Sequence, residues 1–222
     1  MLNVIEGRVL GCLLEKERTT PDQYPLTLNA LVAACNQSTS REPVMRLDDD
    51  EVTAALHSLK AAGLLRFVHP SHGRSVIRYR QVAAESWQLE SEAGAVLTIL
   101  LLRGPQTAAE LRSRTERLHE FSSLDEVHST LTELSNHGRV ELVDRQYGQK
   151  EARWRQLVAD EAEPIVGPQV VDPNAVSGSV ADRLARLEAR LARIETAIAD
   201  LLDSDDRPDD DLQPDGAAVT PD

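Results

Sequence analysis

Apolar positions along this chain change their period twice, in the same order each time. Ile5, Val9, Cys12 and Leu13 share one face at helical spacing, which predicts a first helix from about Leu2 to Glu17. Thr19-Thr20-Pro21-Asp22 breaks it. Tyr24-Pro25-Leu26 reads as a short extended piece, because a residue before proline avoids the α region. Thr27 suits the N-cap of a second helix, Leu28 to Cys35. Asp48 or Asp49 caps a third, which buries Val52, Ala55, Leu56 and Leu59 and stops at Gly63. The period then drops to two. Leu64 to His69 and Ser75 to Val82 flank a turn at Pro70-Ser71-His72-Gly73 and form a hairpin.

The same plan follows again. Asp50-Glu51-Val52, Leu56, Leu59 and Gly63 recur 75 residues later as Asp125-Glu126-Val127, Leu131, Leu134 and Gly138. The second set of helices runs from Glu90 to Arg103, from Ala108 to Arg117 behind Thr107, and from a cap at Ser122 or Ser123 to His137. Arg139 to Asp144 and Glu151 to Val158 flank a turn near Tyr147-Gly148. Three helices and a hairpin follow the order of a winged helix. The expected fold class is mainly α with small β-wings (α+β), with tandem winged-helix domains at 1–84 and 85–158. From Glu6 to Glu92 the offset is 86, so the first copy holds 11 extra residues, all between Thr19 and Leu47.

The remainder has another pattern. Residues 159–179 carry prolines, glycines and serines and read as a linker. Val180, Leu184, Leu187, Leu191, Ile194, Ile198 and Leu201 are spaced 4-3-4-3-4-3, a heptad seam over 180–202. In a parallel pair Arg183 would face Glu188 and Arg190 would face Glu195, each of opposite sign. A coiled-coil homodimer through this helix is therefore expected. The alternative is an amphipathic helix packed on its own domains. Residues 203–222 are rich in Asp and Pro and are expected to be a disordered acidic tail.

Charge changes the picture only in its distribution. The net charge is −13, but 10 Lys/Arg against 9 Asp/Glu give residues 1–84 a net +1. Residues 85–160 carry 9 against 13, and residues 161–222 carry 5 against 15, so the acidity lies mainly in the tail. Cys12 and Cys35 fall in apolar helical patterns and read as buried free thiols of a cytoplasmic protein. No basic stretch precedes an apolar run at the N-terminus, and the run Ala95–Leu102 is too short to span a membrane. No membrane association is expected.

A specific resemblance adds to this reading. Leu14-Glu15-Lys16, Thr19-Thr20-Pro21-Asp22-Gln23-Tyr24-Pro25-Leu26, Asn29, Ala34-Cys35-Asn36-Gln37 and Arg41-Glu42-Pro43-Val44-Met45 resemble the signature of the YceH-like bacterial proteins. Leu100-Leu101-Leu102-Arg103-Gly104, Thr107 and Glu110-Leu111-Arg112-Ser113-Arg114 match its second half. The likeness covers about residues 4–158, and the heptads resemble that family's ending. It implies a tandem winged-helix fold. It implies no function, since the family is essentially uncharacterised and offers no site to carry over.

A winged helix usually binds DNA, its third helix reading base edges and its wing tracking phosphates. The expected third helices offer Thr53, His57, Ser58 and Lys60, then His128, Ser129, Thr132, Glu133 and Asn136. Both begin with carboxylates, which would repel phosphates. The wings argue the other way. Arg74, Arg78 and Arg80, then Arg145, Lys150, Arg153 and Arg155, could track a backbone, with Arg112, Arg114 and Arg117 beside them. In the long loop, Asn36 and Gln37 read as caps and Arg41 as ligand-facing. The expectation is a non-catalytic DNA-binding or regulatory protein. The alternative is a protein adaptor, since ScpB-like chromosome-segregation proteins share this layout. Nothing resembles a phosphate-binding glycine loop, a nucleophile elbow or a zinc motif, and His69-Pro70-Ser71-His72 lacks further ligands. No catalytic residue, metal or cofactor is expected.

Overall fold

The computed structural model describes residues 1–69, 76–145 and 151–161. Met1–Ile165 forms one compact unit. The expected hairpin turns, with Arg74 and Lys150, lie outside the described residues, as do the heptad seam at 180–202 and the acidic tail.

The protein is a mixed structure of helices and small antiparallel sheets. Its elements are α1 (Val4–Thr19), a 3-10 turn (Pro21–Gln23), α2 (Leu28–Cys35), α3 (Asp49–Ala61), β1 (Leu65–Val68), β2 (Arg78–Gln81), α4 (Ala83–Ser86), α5 (Ser91–Arg103), α6 (Ala108–Thr115), α7 (Leu124–Asn136), β3 (Val140–Val143) and β4 (Arg153–Gln156). Local chemistry sets most of these bounds. Asn3 and Glu6 form a reciprocal capping box at α1, as do Asp48 and Glu51 at α3 and Thr107 and Glu110 at α6. Thr27 caps α2 and Ser123 caps α7. Gly63 and Gly138 follow α3 and α7 at φ of 72° and 66°, a left-handed geometry that favours glycine. The short α4 was not predicted, and the break at Pro21 is a 3-10 turn.

Each hairpin gains a third partner. β1 pairs antiparallel with β2, and β3 with β4. Leu26 bridges Tyr79 at the far edge of β2, and Gln106 bridges Trp154 at the far edge of β4. The extended piece read at Tyr24-Pro25-Leu26 is thus the outer member of the first small sheet. Tyr79 and Gln81 are buried, whereas Arg78 is exposed and Arg80 half-buried, as the alternation along β2 predicts.

The two halves are not independent. α1 is buried from Glu6 to Leu14 on every side, and α5 from Ala93 to Leu100. A helix covered all round is an interior helix. Here the two pack against each other through Gly7 and Gly11. A Cβ on Gly11 would lie 2.9 Å from Leu102 Cδ2 and 3.1 Å from Leu101 Cβ, and one on Gly7 would lie 2.8 Å from the Ala159 side chain. The glycines therefore let the helices approach closely. Leu102 and Ala159, from the second half, join the first hydrophobic cluster. Main-chain bonds add to the junction. Leu2 N–H donates to Val158 O at 3.0 Å, Asp160 N–H to Leu2 O at 2.8 Å, and Glu42 N–H to Leu102 O at 2.8 Å. The apolar run Ala95–Leu102 is thus part of a central helix shared by both cores.

Candidate functional site

The expected DNA-reading elements are α3, α7 and the two hairpins. On α3 the exposed residues include Asp49, Asp50, Glu51, Ala54, His57, Ser58 and Lys60. Two of these are engaged on β1. Lys60 Nζ lies 4.4 Å from the Phe67 ring centroid, and the His57 ring meets Phe67 edge-on at 5.3 Å. On α7 the exposed face is Leu124, Asp125, His128, Ser129, Thr132, Glu133, Ser135 and Asn136, with no Lys or Arg. Carboxylates stand in the first turn of both helices, where they complement the helix dipole.

Three of the described hairpin arginines are already committed to carboxylates. Arg80 pairs with Glu85. Arg155 pairs with Glu141 directly across the β3–β4 ladder. Arg153 donates to both carboxylate oxygens of Glu110, at 2.8 and 3.2 Å, and to Pro105 O at 2.9 Å. Burial alone would raise the Glu110 pKa, but the Thr107 N–H and Arg153 outweigh it and hold the carboxyl below its ordinary range. Arg114 stands 3.8 Å from the same carboxylate. Arg78 donates to Pro25 O at 2.8 Å and Arg112 to Ser122 O at 3.1 Å, so among the described residues these two grip main-chain carbonyls and no carboxylate. Arg145 lies just beyond β3, beside the residues that are not described.

Arg41 corrects the expectation most sharply. Its side chain is 0% exposed and cannot face a ligand. Nη1 and Nη2 bind the two oxygens of Glu15 at 3.0 and 2.6 Å, and Nε donates to Ala34 O at 3.0 Å. The physical reason is a fork-to-fork match with a carboxylate 26 residues away on α1. Burial opposes ionisation of Glu15, but the Arg41 hydrogen bonds and charge prevail and keep its pKa low.

The rest of the long loop behaves similarly. Asn36 donates to Leu47 O and accepts from Leu47 N–H, both at 2.7 Å, so its side chain closes the loop onto itself rather than facing a ligand. The Tyr24 hydroxyl accepts from Gln81 N–H at 2.7 Å. Buried Arg8, on the apolar helix α1, donates to Cys35 O at 3.1 Å and Pro43 O at 2.7 Å. The signature segment is thus largely a clamp that ties loop to α1. Cys12 and Cys35 are free and buried. Among the described residues no group of His, Cys, Asp and Glu could hold a metal, and no helix is long and apolar enough to cross a membrane.

Residues 2–149 match the family described as "Protein of unknown function, DUF480". The chain belongs to this family. Its relatives include a UPF0502 protein of Solibacter usitatus, 45% identical over 198 residues, which span 88% of this chain and 94% of the relative. Another UPF0502 protein, of Koribacter versatilis, is 45% identical over 197 residues, 87% of this chain and 90% of the relative. A third, of Pseudomonas syringae pv. tomato, is 41% identical over 205 residues, 90% and 91%. The resemblance read from the Thr19–Met45 signature was to an uncharacterised bacterial family, and the DUF480 match agrees with it. The match includes the Glu15–Arg41 clamp and the α1–α5 crossing, while the Val158–Asp160 contacts with Leu2 and Gly7 lie beyond it.

Proposed function

We propose that each half is a winged helix and that the chain is a non-catalytic binding protein whose favoured partner is another protein. The observation that carries this is that, among the described residues, three of the hairpin arginines are already held by carboxylates and the would-be reading helices are rich in acid. α7 presents no Lys or Arg, α3 opens on three carboxylates, and Arg80, Arg153 and Arg155 are held by Glu85, Glu110 and Glu141. Apolar groups stand exposed on the same elements. Val76 is 69% exposed and Val68 39% on the first hairpin, Leu142 is 54% exposed on β3, and Leu124 is 41% exposed at the start of α7. Apolar contacts ringed by charge suit a protein surface better than a phosphate backbone. In this reading two copies join through residues 180–202, so weak contacts made by each copy add through multivalency.

The DNA-binding reading is second, and Arg78 and Arg112 favour it, because they bind only main-chain oxygens in the described structure and keep their charge. Co-purification with paired variants separates the two. The adaptor reading predicts a protein partner that Leu142→Glu or Val68→Glu loses and Arg78→Glu retains. The reverse pattern, with loss of nucleic acid on Arg78→Glu, would overturn it.

A further inference from the structure

A polar cleft of about 260 Å³ opens where the two halves meet, away from α3, α7 and both hairpins. Its walls come from four places: the end of α1, the loop before α3, the end of α5 and the end of α6. Lys16, Arg103, Arg114 and Arg117 line it, and Glu15 is its only carboxylate. That carboxylate is already spent on Arg41, with Lys16 at 3.3 Å. The ends of α1, α5 and α6 carry partial negative charge, roughly half an elementary charge each, and offset part of the excess. Arg114 also stands 3.8 Å from Glu110, so Arg103, Arg117 and Lys16 carry most of the positive charge that remains.

Arg103 is the most telling member. It reaches across the junction, with Nη2 donating to Ser40 Oγ at 2.7 Å. Its Nε is buried and has no hydrogen-bond partner. Burial depresses the Arg103 pKa, with Arg114 and Arg41 pushing the same way and Glu15 and Glu42 opposing them.

We infer that this cleft binds a small phosphate-bearing molecule, with Arg103, Arg114, Arg117 and Lys16 holding its phosphoryl oxygens and Ser40 acting as a hydroxyl partner. The cations converge from three helices and the hydroxyl from a loop opposite. Such a spread suits a tetrahedral oxyanion better than a planar carboxylate. The volume exceeds that of one phosphate ion, so the class includes small phosphate esters. Because the walls belong to both halves, an occupant would brace the α1–α5 junction whatever α3 and α7 bind.

Isothermal titration of the full chain with inorganic phosphate, pyrophosphate and glucose 6-phosphate tests the assignment. Saturable binding of at least one probe is expected, weakened at least about tenfold in Arg103→Ala and in Arg117→Glu and unchanged in Arg66→Ala on β1. A preference for the ester over the free ions would identify the occupant as a metabolite rather than phosphate itself. Arg117 is exposed, so its variant should fold and decides the matter if Arg103→Ala does not. The inference is overturned if no probe saturates by about 10 mM, or if the cleft variants bind as tightly as the parent.

Discussion

At the scale of the residue, the Glu15–Arg41 pair governs the loop that distinguishes the first half from the second. Removing one member of a buried pair leaves the other charge unpaired, and the cost is typically about 3–5 kcal/mol. Arg41→Ala should therefore lower the urea midpoint strongly, whereas Arg66→Ala, on an exposed side chain, should leave it almost unchanged. The pH dependence follows from Glu15. Its folded pKa is depressed, so it contributes stability above its unfolded pKa of about 4.3. That contribution is lost as pH falls through the lower folded value. Denaturation of the parent below about pH 4 should show this loss, and Glu15→Gln should lack that component of the acid slope. The pair was not legible in the sequence. Its members lie 26 residues apart, and a lone arginine in a polar loop looks the same whether it meets solvent or a buried carboxylate. Arg8 was hidden in the same way within an apolar helix. Asn36 was legible because its side chain closes a local loop.

At the scale of the element, most boundaries could be read because they are set locally. Caps at Thr27, Asp48 and Ser123 and glycines at 63 and 138 satisfy helix ends within a few residues of sequence. The α1–α5 crossing could not be read, because it pairs Val4–Thr19 with Ser91–Arg103, segments far apart in the chain. In the sequence Gly7 and Gly11 only look like weak points in a helix. In the structure they are where Leu101, Leu102 and Ala159 pack. Gly11→Val should overpack this crossing and cost about 1–3 kcal/mol in chemical denaturation. Gly63→Ala is a useful contrast, since nothing lies within 4 Å of an added Cβ there and only the φ of 72° opposes it. It should cost about 1 kcal/mol and leave the contact between the halves intact. If Gly11→Val proved as mild as Gly63→Ala, close helix approach would not be what joins the halves.

For the whole molecule, the three longer helices and the hairpin of each repeat are legible in the sequence, whereas α4 and the contacts between the repeats are not. Charge counting could not show that Arg80, Arg153 and Arg155 would each be met by a carboxylate, because Glu85, Glu141 and Glu110 come from different elements. That pairing moves the functional reading from DNA toward a protein partner. The heptad seam makes its own prediction. Deleting residues 180–202 should reduce the mass in solution to that of a single chain, and an unchanged assembly would remove the coiled coil from the account.

The most direct test of the central claim is a fluorescence-anisotropy titration of the full chain against random-sequence duplex DNA at low and at physiological salt. A phosphate-tracking protein loses affinity steeply as salt rises. The account predicts no saturable binding at physiological salt and, at most, weak binding at low salt that Arg78→Glu removes. Tight binding at low salt that falls by orders of magnitude with added salt would contradict it and restore nucleic acid as the partner.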